Sequence, residues 1–138
     1  MGELTERDKV FVLEDTMAEM PQIDIPVRHF FSPGVYAREI SVPKGAVITG
    51  KIHKFSQLNI LSKGVMAVMT EDGIKRVEAP FTIVSPPGTK RIAYAYDDCV
   101  WTTIHGTDET DLDTIEEHFI AQDEAEYIAH CKKLMDLT

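Results

Sequence analysis

Apolar residues at Val10, Leu13, Met17 and Met20 recur at helical spacing until Pro21, and the pattern predicts an amphipathic helix over about 6–20. Thr5 is placed to cap it, with Asp8 in the third helical position. From Gln22 to His105 the period changes, and short runs rich in Val, Ile, Thr, Phe and Tyr are cut by glycines and prolines. The breaks fall at Ser32-Pro33-Gly34, Pro43-Lys44-Gly45, Ser62-Lys63-Gly64, Glu71-Asp72-Gly73, Pro86-Pro87-Gly88 and Asp97-Asp98, residues that fix or permit turn dihedrals. Strands are expected between them, from about Val35 to Val42, Val47 to Lys54, Leu58 to Leu61, Val65 to Met69, Ile74 to Glu78, Phe81 to Val84, Lys90 to Tyr96 and Val100 to His105.

After His105 the helical period returns. Leu112, Ile115 and Phe119 share a face, and Asp111, Asp113, Glu116 and Glu117 sit early, where the helix dipole favours acids. A further helix opens on an Asp123 and Glu126 box and carries Ile128, Cys131 and Met135 as its apolar stripe, with Lys132 and Lys133 toward its end. The chain therefore reads as one domain over 1–138: a helix at about 6–20, an all-β jelly-roll barrel at about 22–105 and helices at about 110–136.

Composition narrows the classes. With 43% hydrophobic and 27% charged residues over 138 positions, the chain has the make-up of a globular domain large enough to fold around its own core. A formal net charge of −9, with no run of Lys and Arg, argues against nucleic acid as a partner. Cys99 and Cys131 stand alone, which argues against a disulfide framework or a four-cysteine zinc site and suits a reducing compartment. The start MGELTERDKV lacks an apolar signal core, Glu6 replaces the Ser or Thr of a myristoylation pattern, and no apolar run is long enough to span a bilayer. A cytoplasmic protein without a membrane partner is expected.

The segment Gly45 to Gly64, GAVITGKIHKFSQLNILSKG, resembles the first motif of the cupin family, in which His-x-His is followed by Glu and then Gly. On that motif Lys51 and His53 take the two histidine positions, Gln57 the glutamate position and Gly64 the closing glycine. Pro86-Pro87-Gly88 with Arg91 is similar to the second motif, Arg91 standing for its histidine and Ala95 for its asparagine, while Pro80 replaces the opening glycine. The likeness covers about Tyr36 to His105, and the whole chain resembles small single-domain cupins of bacteria and their phages, many without an assigned activity. It implies an RmlC-like jelly roll in which the metal-binding relatives converge three histidines and a glutamate on a divalent ion.

Lys51 and Arg91 have no free lone pair at neutral pH and would repel such an ion, so no metal and no cofactor are expected. Strand alternation would put Lys51, His53 and Phe55 on one face, giving a pocket with two cations and an imidazole. Arg91 would grip a carboxylate or phosphate bidentately and Lys51 would add a point charge; the alternative is that both bend outward. Gln57 and Asn59 suit the hydroxyls of a sugar-like guest, or else form a structural amide network. One of Arg38 and Glu39 faces inward, and Glu39 there would pair with a cation and weaken the anion reading.

Trp101, Thr103 and His105 share a face; His105 would reach the pocket mouth, and Trp101 with Tyr94 and Tyr96 would form an aromatic wall, or simply pack. His53 and His105 with Gln57 or an acid leave a nonstandard metal site open as an alternative. His29 is read as a packing or turn residue, and His118 and His130 as surface residues.

The leading expectation is a small-molecule-binding cupin with a degenerate metal site, taking an anionic, sugar-like ligand on Lys51, Gln57, Asn59, Arg91, Trp101 and His105. A metal-independent sugar isomerase or epimerase with His53 as base is one alternative, and a structural dimeric scaffold the other. A homodimer is expected, partly because proteins resembling cupins commonly pair through their sheets.

Overall fold

The computed structural model describes residues 6–18, 23–70 and 72–136. Thr5, Met20, Pro21, Gln22 and Glu71, on which parts of the sequence reading rest, lie outside them. Along the chain run α1 (Glu6–Ala18), β1 (Val27–Ser32), β2 (Val35–Val42), β3 (Val47–Thr49), β4 (Ile52–His53), β5 (Gln57–Lys63), β6 (Val65–Thr70), β7 (Gly73–Glu78), β8 (Phe81–Ser85), β9 (Ile92–Ala95), β10 (Cys99–His105), α2 (Leu112–Phe119), β11 (Ile120–Ala121) and α3 (Glu124–Asp136). The strands are antiparallel, in a five-stranded sheet ordered β1-β2-β10-β5-β8, a four-stranded sheet ordered β3-β9-β6-β7, and a short β4-β11 pair. Among the described residues no helix is long and apolar enough to cross a membrane.

The inner faces meet in a core that includes Val42, Leu61, Met66, Val68, Ala93 and Ala95. Side chains alternate across a strand, so the register sets which residues form a layer. Tyr36 lies opposite His105; Arg38 opposite Thr103, which lies opposite Asn59; Ile40 opposite Trp101, which lies opposite Leu61. The turn before β6 requires glycine, because Gly64 has φ +92 and a Cβ there would lie 2.5 Å from the Asp98 carbonyl oxygen and the Cys99 Sγ.

Three expectations need correction. The run from Val47 to Lys54 is not one strand: β3 pairs with β9, Gly50 N–H donates to the Arg91 carbonyl at 2.8 Å, and the chain then turns to pair β4 with β11. Alternation does not carry across that break. Strand β9 is shorter than expected, running from Ile92 to Ala95, because its pairing with β3 ends at Thr49 opposite Ile92; Lys90 lies before it, with its ammonium donating to the Gly50 carbonyl and to Glu14. Strand β1 was not anticipated; its residues are all exposed at a sheet edge, so VRHFFS lacks the buried alternation that marks a strand.

The helices follow their caps. Asp111 Oδ1 accepts from the Asp113 and Thr114 N–H groups at 2.9 and 3.2 Å, and α2 buries Ile115 and Phe119. Asp123 Oδ1 accepts from Glu126 N–H, and Glu126 Oε2 from Gln122 N–H. The expected α3 stripe is turned outward at Ile128 and Met135, which are exposed, while Tyr127, His130 and Cys131 are half-buried. Helix α1 packs through buried Val10 and is clamped by Glu14, which accepts from Lys90 and from Thr49 Oγ1, and by Arg7, which pairs with Glu124 at 2.7 Å.

Candidate functional site

A cavity of about 910 Å³ lies between the sheets, within the range of sites that hold small ligands. Strand register builds its walls. His53 comes from β4, Gln57 and Asn59 from β5, Thr103 and His105 from β10, Arg38 from β2, and Arg91 from the turn before β9.

A buried hydrogen-bonded chain crosses the polar side. Thr103 Oγ1 donates to Asn59 Oδ1 at 3.0 Å, and Asn59 Nδ2 donates to Ser85 Oγ at 2.6 Å. Arg91 donates to that same hydroxyl from Nε and Nη2, each at 3.1 Å, and from Nη1 to the Met69 carbonyl at 2.8 Å. Asn59 is therefore part of a structural amide network, and Arg91 is anchored by the protein at each of its nitrogens.

Lys51 does not join His53 in the interior. Its side chain is 58% exposed and pairs with Glu116 of α2 at the cavity rim, which lowers the Glu116 carboxyl below its usual range. Phe55 is also elsewhere, packed against His118, Phe119 and His130. Arg38 points inward while Glu39 pairs outward with Arg28 at 3.5 Å. Among the described residues no carboxylate lies within ion-pair distance of Arg38, although its charge also helps to lower the Glu116 carboxyl.

The His53 and His105 rings stack with centroids 5.5 Å apart, and His105 also packs on Phe119 at 4.4 Å. Burial, then the charges of His105, Arg38 and Lys90, pushes His53 down to about 3, and burial pushes His105 down to about 4. Both are neutral at physiological pH. Their Nδ1 atoms, with Gln57 Oε1, are buried without hydrogen-bond partners. His29, taken for a packing or turn residue, lies on β1 at the cavity wall with Nδ1 2.7 Å from Tyr36 Oη.

The aromatic wall does not form as expected. Trp101 lines the cavity, but Tyr94 and Tyr96 are exposed on the outer face of the four-stranded sheet, edge to face at 5.0 Å, with Arg76 over Tyr96. His118 is exposed as expected, whereas His130 is half-buried against Phe55.

The sequence reading left Arg38 open against Glu39 and did not include Ser85, Thr103 or Tyr36 in the site. One signal was available: Arg38 shares its face with Tyr36, Ile40 and Val42, a bulkier apolar set than Val35, Ala37 and Ser41.

No family model matches the chain, and no curated protein matches it. Solved structures do. KdgF from Halomonas sp. superposes with a TM-score of 0.52 at 18% identity, over 63% of this chain and 86% of its own. A cupin-superfamily protein from Desulfitobacterium hafniense gives 0.52 at 12% identity, over 67% and 86%. An RmlC-like cupin with a double-stranded β-helix fold from Methanocaldococcus jannaschii gives 0.51 at 12% identity, over 62% and 82%. The chain has a cupin fold. Its donor set does not fit the divalent ion of metal-binding cupins: Lys51 is ion-paired at the rim, a guanidinium occupies the position of Arg91, and an amide stands at Gln57. Among the described residues no group of three His, Cys, Asp or Glu is placed to hold a metal.

Proposed function

We propose that this cupin binds a small anionic molecule in its cavity without a metal. The carrying observation is a local reversal of charge. The chain has 23 acidic against 14 basic residues, yet among the described residues the charged ones lining the cavity are Arg38, the hydrogen-bonded Arg91, and Lys51 paired with the one carboxylate, Glu116. Within apolar walls such a field favours an anion, and guanidinium groups suit carboxylate or phosphate. Gln57, the cavity-lining amide with a buried unpartnered oxygen, supplies a polar contact beside them. The isomerase alternative asks His53 to take a proton, and an imidazole held near 3 is a weak base at neutral pH, which favours binding over turnover.

Thermal-shift titration with small carboxylates and phosphates tests the reading. A ligand at a hundred times its Kd stabilises the folded state by about 2.7 kcal/mol, so a binding anion is readily seen. Lys51→Ala is expected to weaken the response, because Glu116 loses its ion-pair partner at the rim and its charge then competes with the anion for Arg38. Indifference of both proteins to every anion would instead support a scaffold with an inert interior.

A further inference from the structure

The cavity is polar on one side and apolar on the other, and strand register shows how the two are divided. Tyr36, His105, Gln57 and Ser85 form one layer of the five-stranded sheet, and Arg38, Thr103 and Asn59 the next. One layer further on, Val27, Ile40 and Trp101 line the cavity, with Leu61 beside them in the core. From that layer onward the lining is mainly apolar, and the hydroxyl of the adjoining Thr49 is taken up by Glu14. Ile23 and Ile25 continue it ahead of β1, Ile48 faces it from β3, and Leu13 and Met17 of α1 border it. The polar clamps that hold α1, Glu14 to Lys90 and Thr49 and Arg7 to Glu124, leave Leu13 and Met17 among the cavity-lining residues.

We infer that the guest is an amphipathic carboxylate: its anionic head sits by Arg38 near Gln57, and its apolar body lies over Val27, Ile40 and Trp101 beneath Leu13 and Met17. The inference rests on the anion-binding reading and adds the nature of the body. A polyhydroxylated body would leave hydroxyls unpaired against Ile40, Ile48 and Leu13, a cost that an alkyl or aryl body avoids. Arg38 is the natural anchor, since it lines the cavity, its charge reaches His53, Tyr36 and Glu116, and the ion-pair partner of Glu116 is Lys51. Helix α1 then contributes directly to recognition of the apolar body.

Trp101 is the single tryptophan of the chain and lines the apolar layer, so its emission reports occupancy. Three probes separate head from body: octanoate, gluconate with a similar head on a hydroxylated body, and 1-octanol with a similar body and no charge. Octanoate is expected to bind at least about tenfold more tightly than either, the discrimination typical of one charged hydrogen bond or a few methylenes. Arg38→Gln should weaken octanoate by about tenfold and leave 1-octanol unchanged. Met17→Ser should weaken octanoate and 1-octanol alike while gluconate is unaffected, and gluconate binding then also reports an intact fold. Gluconate equal to or tighter than octanoate would overturn the amphipathic inference and leave the anion-binding reading standing. Failure of both acids to bind, or 1-octanol matching octanoate, would overturn both.

Discussion

At the residue scale, the chemistry of the site follows from which side chains lost water. His53 and His105 are both stripped of solvent and stacked, and their folded-state values lie far below the ordinary imidazole value of 6.5. A depressed imidazole binds fewer protons folded than unfolded between those values, so stability is present in full above about 6.5 and is lost as pH falls toward the folded values. The groups acting on His53 are His105, Arg38 and Lys90, all of which favour the neutral ring. Urea unfolding at pH 5 is therefore expected to give a stability lower than at pH 7 by about 2 kcal/mol from His53 alone. His53→Gln should flatten that dependence, and an unchanged slope would contradict the burial argument. His53, Gln57, Arg91 and His105 all line the cavity; motif spacing singled out the first three and alternation along β10 the last, whereas alternation from Lys51 to Phe55 failed at the Gly50 break. The partner of Lys51 was not legible, because Glu116 is 65 residues away on a helix whose docking no local pattern encodes.

At the scale of elements, strand positions were readable wherever glycine or proline turns bracketed a buried alternation, as at β2, whose bounds from Val35 to Val42 match the expectation. The break at Gly50 was not readable, because it is imposed by pairing with Arg91 and with β11, contacts that are remote in sequence. Helix α1 shows the same dependence on tertiary partners. Its apolar spacing was visible, but its position is set by Glu14, which meets the nearly buried Lys90 ammonium at 3.0 Å and the Thr49 hydroxyl at 2.8 Å. Removing that carboxylate leaves Lys90 with the Gly50 carbonyl and the Phe11 ring, 5.1 Å from the ammonium. Glu14→Ala is expected to cost about 1 to 3 kcal/mol, discounted for the partial exposure of Glu14, and to raise amide exchange across α1 before the sheets respond. Loss of α1 protection without loss of the sheets would tie this one ion pair to the docking of the helix. Uniform loss throughout would show that α1 unfolds only with the whole domain.

At the scale of the whole molecule, the outer face of the five-stranded sheet carries an apolar row on a chain that is acidic overall. Register aligns Phe30, Ala37, Ile104, Leu58 and Val84 in one row across all five strands, with Phe30, Leu58 and Val84 exposed. The neighbouring row is Arg28, Glu39, Thr102, Ile60 and Thr82, and its two charges neutralise each other in an ion pair. Two copies of a chain with net charge −9 repel one another over most approaches, and a neutral apolar row is where that repulsion is least and burial gains most. The occupant we propose for this face is a second copy, related by a twofold axis that sets row against row. Light scattering at micromolar concentration is expected to give about twice the 15.5 kDa chain mass. Leu58→Lys, at an already exposed position, should return the mass to that of one chain while leaving the cavity and the circular dichroism unchanged. A single-chain mass for the unmodified protein at every accessible concentration would overturn the pairing. It would leave the ligand reading intact, because the side chains on this face point away from the cavity.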